Sequence, residues 1–137
     1  MKEEIIMKSF LIALALLFAA VLSSSAVTVS RATAPAKKQK SVVQFNEPVT
    51  LQGVTLKGQY LFVHDDAAMT RGEACTFVYK GEAEIASKLV VSFHCVPVQR
   101  QKVDSFIVRT ELIGGITQLK EYQFSGDTEA HMVPLTK

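Results

Sequence analysis

The chain has 137 residues, a formal net charge of +2 and two cysteines. From Ser41 onward nine Lys/Arg oppose eleven Asp/Glu, so the positive balance belongs to the N-terminal stretch. The rest lacks the basic surface that nucleic acid requires, and its size, roughly one hundred residues, suits one domain without internal repeats.

The chain opens MKEEIIMKSFLIALALLFAAVLSSSA, where Lys2 and Lys8 precede thirteen mostly aliphatic residues, Phe10–Leu22, and Ser24-Ser25-Ala26 follow. A charged start, a short apolar stretch and a small-residue exit predict a secretory signal peptide over 1–26, cleaved after Ala26. The apolar run is shorter than the ~20 residues of a membrane span, though an uncleaved N-terminal anchor is the alternative. Met7 offers a second start with the same character. The product is expected to be exported, periplasmic or extracellular, with membrane contact only through the signal segment before cleavage. Residues 27–41 read as a basic flexible leader carrying Arg31, Lys37, Lys38 and Lys40, and residues 42–137 as a single β domain.

Within that domain, apolar runs rich in Val, Ile, Phe, Tyr and Thr alternate with Gly, Pro and polar clusters. Strands are expected at Val42–Phe45, Val49–Leu51, Gln59–His64, Cys75–Lys80, Leu89–Val96, Ser105–Leu112, Ile116–Phe124 and His131–Val133. The one helical turn expected is Glu82–Ser87. Many short strands with regular turns indicate an all-β fold, a small antiparallel β-sandwich or partly closed barrel. Tyr60, Leu61, Phe62 and Val63 are apolar on both faces, which marks a central, doubly covered strand. Gly114-Gly115 marks a hairpin. A three-residue loop there would align Phe106, Val108, Leu112, Ile116, Tyr122 and Phe124 on one face.

Cys75 and Cys95 are the two thiols of a chain bound for an oxidising compartment, which predicts a disulfide. Pairing the two strands with Cys75 opposite Cys95 sets Phe77 opposite Phe93 and Tyr79 opposite Val91, an aromatic stripe on one face. A reactive thiol or a metal thiolate is the alternative. In this register His94 points to the opposite face from Cys95, so the adjacent pair forms no joint site unless the strand is distorted there, a distortion Pro97 could supply.

No complete catalytic pattern is present, and a non-enzymatic role is expected. G-x-S-x-G, C-x-x-C and C-x-x-C-H are absent, GVTLKGQ is not a phosphate loop, and Ser92 near His94 lacks the acid and oxyanion hole of a triad. Asp65 and Asp66 are adjacent loop carboxylates, more suited to solvation than to acid–base work. The candidate chemistry lies in His64, Asp66, Glu73, His94 and His131, residue types that suit zinc or copper if the fold makes them converge. Without that convergence there is no cofactor. Arg71-Gly72-Glu73 and Gln99-Arg100-Gln101-Lys102 could form a polar rim for an envelope protein or a glycan.

The stretch FNEPVTLQGVTLKGQYLFVHDD (Phe45–Asp66) resembles the opening of a group of small exported bacterial β-sandwich proteins of uncharacterised function: an E-P-V strand, then G-x-x-L-x-G-x-Y-x-F. HDDAAM, G-E-A-C, F-H-C-x-P-V and E-A-H-x-V-P look like the same family. The resemblance implies export and a β-sandwich. It implies no activity, and no catalytic residues can be transferred from it.

The sequence therefore reads as an exported, disulfide-stabilised binding or structural domain of the cell envelope. The alternative is an exported copper or zinc protein with a histidine-rich site.

Overall fold

The computed structural model describes residues 36–135. The signal peptide expected over 1–26 and most of the stretch read as a basic leader lie outside the described residues. The strands are β1 (Lys38–Leu51), β2 (Val54–Asp65), β3 (Thr76–Lys80), β4 (Leu89–Phe93), β5 (Val96–Gln99), β6 (Ile107–Ile113), β7 (Ile116–Gln123) and β8 (Glu129–Met132). A short helix, α1 (Asp66–Thr70), follows β2, and a 3-10 turn at Ala86–Lys88 precedes β4. All eight strands belong to one sheet, ordered β4-β3-β2-β1-β7-β8-β5, with β6 on β7. The all-β class holds. The architecture is a single curled sheet, a half-barrel, and not a two-sheet sandwich. Nor is it purely antiparallel, because β1 meets β7 in parallel at Thr50 and Gln118.

β1 and β2 form one long hairpin closed by the two-residue turn Gln52-Gly53, with φ of 50° and 77°. Left-handed backbone is costly for glutamine. Here the Gln52 side-chain amide donates to the Pro134 carbonyl at 2.6 Å, which offsets part of that cost. Two expected strands, Val42–Phe45 and Val49–Leu51, are one strand with an irregularity between Phe45 and Val49. Pro48 sits in that irregularity, where a missing N–H leaves no ladder bond broken. β1 also begins at Lys38, inside the stretch read as flexible leader, because Gln39 pairs with His64 and Ser41 with Phe62.

The β6–β7 hairpin closes through Gly114-Gly115 alone, with Ile113 opposite Ile116, so the three-residue loop is corrected to two. Both glycines have positive φ, as this tight turn demands. A register shift between Arg109 and Thr110 then restores the inward face for the far half of the hairpin. Phe106, Val108, Tyr122 and Phe124 join the core as expected, whereas Leu112 and Ile116 at the tip are 71% and 52% exposed.

The principal core joins Phe45, Val49, Leu51, Leu56, Tyr60 and Phe62 to Val78, Phe93, Leu119, Tyr122 and Phe124. Its aromatic centre is tightly arranged: Phe62 lies 5.5 Å from both Phe106 and Tyr122, and Tyr122 meets Phe124 edge-on at 5.7 Å. Such tilted contacts suit ring quadrupoles. On the other face of β2, Leu61 and Val63 pack with Tyr79 and Phe77. The central strand is covered on both sides, as its composition predicts.

Candidate functional site

Side-chain alternation along β2 sends Tyr60, Phe62 and His64 to the concave face. The first two join the principal core, and His64 ends the row with no exposed surface. His64 lies opposite Gln39 of β1 and Thr76 of β3. Across the hollow, β8 pairs His131 with Tyr122 of β7 on one side and Pro97 of β5 on the other. His131 is 1% exposed. The curl of the sheet lays the two imidazoles on each other, centroids 3.9 Å apart and planes inclined by 27°. Tyr122 continues the stack 5.0 Å beyond His131. Its hydroxyl is anchored by a buried hydrogen bond with the Thr76 hydroxyl.

The sulfurs lie beside this stack. Cys75 and Cys95 form a disulfide with Cα atoms 6.2 Å apart. The bond expected from the sequence is present, but the strand register that motivated it is not. Thr76 lies opposite Phe93, Phe77 opposite Ser92 and Val78 opposite Val91, one residue away from the expected alignment. Phe77 therefore leaves the cysteine face for the outer cluster. The cysteines still meet because the expected strand Leu89–Val96 breaks at His94-Cys95 into β4 and β5. At that break Cys75 N–H donates to the Phe93 carbonyl at 3.2 Å, and Cys95 N–H donates to Cys75 Sγ at 3.0 Å.

Cys95 Sγ is 3.7 Å from His131 Nδ1, and ligand atoms of His64, Cys95 and His131 all lie within 4.8 Å of one another. His64 Nδ1 is 3.3 Å from Asp66 Oδ1, and His131 Nδ1 is 4.0 Å from Glu129 Oε1. Asp66 is held for this contact by its backbone. Its N–H donates to the Lys37 carbonyl at 3.0 Å, and its Oδ2 accepts from Lys37 N–H at 3.1 Å. Asp65 caps α1 by accepting from the N–H groups of Ala67 and Ala68. Despite these neighbours, both ring nitrogens of His64 and Nε2 of His131 have no hydrogen-bond partner among the described residues. Buried polar atoms left this way cost about 1–3 kcal/mol each, so native proteins rarely retain them without a ligand or water.

Burial drives both imidazoles toward the neutral form. His131 is pushed down to about 4, first by desolvation and then by His64, against the pull of Asp127 and Asp66. His64 is lowered mainly by burial, with Asp66, Asp65 and Asp127 opposing. Neutral imidazoles offer lone pairs. The rim is anionic: burial would raise the Asp127 carboxyl, but hydrogen bonds from Gln39 and Lys37 hold it below its ordinary value. Glu129 is raised by burial and by the charges of Asp66 and Asp127.

Of the residues singled out in the sequence, His64, Asp66 and His131 come together. His94 and Glu73 do not join them, and their place in the candidate set is corrected. His94 is exposed at the strand break. Glu73 is exposed and takes both guanidinium contacts of Arg71, at 3.0 and 3.1 Å. Arg100, read as a rim residue, binds Glu121 at 2.7 and 3.1 Å, where Arg109 also donates at 2.8 Å. Sequence reasoning missed Cys95, Glu129 and Asp127 as neighbours of the histidine pair. Glu129 had a signal, since E-A-H puts it two residues before His131 and so on the same face of a strand.

Two buried imidazoles and carboxylates at the rim are donors for zinc or copper, and the disulfide sulfur of Cys95 lies beside them. Ligand atoms within 4.8 Å of one another are close enough to share one ion after small rotations, given metal–nitrogen bonds of about 2.0–2.1 Å. The in-plane lone pairs of stacked rings run side by side, so joint ligation requires the two ring planes to open toward each other. No family model, curated protein or solved structure matches the chain.

Proposed function

We propose that this chain is an exported binding protein and that its ligand is a divalent transition metal, zinc or copper(II), held by His64 and His131 with Asp66 and Glu129 at the rim. One observation carries this reading: among the described residues, two fully buried, stacked imidazoles keep three of their four ring nitrogens without a hydrogen-bond partner. A histidine serving only as core filler would find a hydrogen-bond partner for its polar atoms. The anionic rim draws a cation inward, and burial keeps both rings in the ligating form. The disulfide supports the export half of the reading, because such bonds persist in oxidising compartments. Among the described residues no helix is long and apolar enough to cross a membrane.

The test is native mass spectrometry of the purified, disulfide-intact chain after exposure to zinc or copper(II). One ion per chain is expected, lost in His131→Gln and retained in His94→Gln. A metal-free mass for the unsubstituted chain, or equal loading of both variants, removes the proposal.

A further inference from the structure

Cys95 holds two positions at once. Its sulfur closes the bond to Cys75 and also faces the histidine pair, 3.7 Å from His131 Nδ1. A disulfide sulfur is a poor metal donor, whereas a thiolate is among the best for zinc and copper(I). We propose that the Cys75–Cys95 bond gates the metal site: opening it releases Cys95 as a third ligand and converts a two-imidazole site into a His64–His131–Cys95 site. This inference rests on the histidine pair binding metal at all.

The chemistry balances with an external dithiol as the reductant. One thiolate of the dithiol attacks the sulfur of Cys95, the less completely buried residue of the pair, and Cys75 leaves as thiolate. The second thiol of the reagent then attacks the reagent's own sulfur in the mixed disulfide and expels Cys95. Two electrons pass to the protein, the dithiol becomes a disulfide, and both cysteines end as thiols. Binding a divalent ion then displaces the Cys95 proton to solvent. Re-oxidation by a disulfide reverses the sequence and withdraws the sulfur from the ion.

The surroundings divide the two sulfurs between these tasks. Cys75 has partners of its own: Cys95 N–H donates to it at 3.0 Å, which favours it as leaving thiolate, and the Phe93 carbonyl lies 3.9 Å away to accept from its thiol. Cys95 Sγ has His131 as its polar neighbour, across the space that His64 also faces. The two histidines and Cys95 come from β8, β2 and the β4–β5 break, and the fold already holds their ligand atoms within 4.8 Å of one another.

The experiment uses cobalt(II) as a spectroscopic probe and zinc for affinity. Four samples are compared: the oxidised chain, the chain reduced with a non-coordinating phosphine, Cys75→Ser, and Cys95→Ser. A thiolate-to-cobalt charge-transfer band is expected in the reduced chain and in C75S, and in neither the oxidised chain nor C95S. Zinc binding, read by competition with a chromophoric chelator, should tighten at least about tenfold on reduction. Binding in all four samples without the band overturns the gate and leaves the imidazole site standing. No binding in any sample overturns both. Loss of the β-sheet circular dichroism on reduction and in C75S overturns the gate as well, since an unfolded chain presents no such site.

Discussion

His64 and His131, from strands that share no hydrogen bonds, stack ring on ring at 3.9 Å in the interior of the half-barrel. Neither ring can be protonated there without burying a charge against its neighbour, so the pair couples the fold to acidity. In the unfolded chain a histidine titrates near 6.5. In the fold His131 is held down to about 4, and His64 is shifted in the same direction. Between these values the unfolded chain binds more protons, so stability is fully present above about pH 6.5 and is lost as pH falls toward 4. His131 alone accounts for about 3 kcal/mol over that window. Urea unfolding across it should show this loss, with the slope reduced in His131→Leu. A flat profile would contradict the neutral pair.

The disulfide closes a loop between positions separated by 20 residues. Chain-entropy reasoning assigns such a cross-link about 3 kcal/mol, acting mainly on the unfolded state. The double variant Cys75→Ser/Cys95→Ser should lose about that much in urea unfolding at neutral pH. A loss under about 1 kcal/mol would show that the rest of the fold already restrains this loop.

Tyr122 has no exposed surface, and its only polar side-chain atom is paired with the Thr76 hydroxyl. Burial lifts the phenol well above its ordinary titration range, against the smaller downward pull of the Thr76 contact. Tyr122→Phe leaves the Thr76 oxygen unpaired in the core and should cost about 1–3 kcal/mol. Adding Thr76→Val removes the orphan. The double variant should be destabilised by less than the sum of the singles, measured as a double-mutant cycle. Strict additivity would mean the hydroxyls do not act as a pair.

The β6–β7 turn sets which side chains at the hairpin tip are buried. With two residues in the turn Leu112 is exposed, so Leu112→Thr should change stability by no more than about 0.5 kcal/mol. A three-residue loop would place Leu112 on the core face, where losing it costs several times more. Gly115 has a φ of 80°, and a methyl group placed on its Cα would meet nothing within 4 Å, so Gly115→Ala tests backbone strain alone. About 1–2 kcal/mol of destabilisation is expected, read from the same unfolding curves.

Much of the fold follows from local pattern. Tyr60–Val63 alternates two apolar sets, and the strand is indeed buried on both faces. The single long β1 is not legible in the sequence, because Asn46-Glu47-Pro48 reads as a break while the ladder tolerates it as an irregularity. The short helix after β2 escapes sequence reasoning for a related reason. Its stability comes from the Asp65 cap and the Asp66–Lys37 contacts, and Lys37 lies in the stretch read as leader. The cysteine pairing follows from chemistry, yet the register expected for it is off by one residue, since the break at His94-Cys95 lets the sulfurs meet without being strand partners.

The sequence by itself determined the strand-rich class, the double burial of β2 and the partner of each cysteine: alternation and side-chain chemistry are local, and two thiols allow one pairing. It also named His64, Asp66 and His131 as metal-type donors without being able to join them. Only the tertiary structure decided that His64 meets His131 and Cys95 while His94 and Glu73 stay outside. The cause is the curl that folds β8 over β2, set by the parallel β1–β7 contact and the β7–β8 ladder. Those are long-range pairings, and no short stretch of chain carries the information for them.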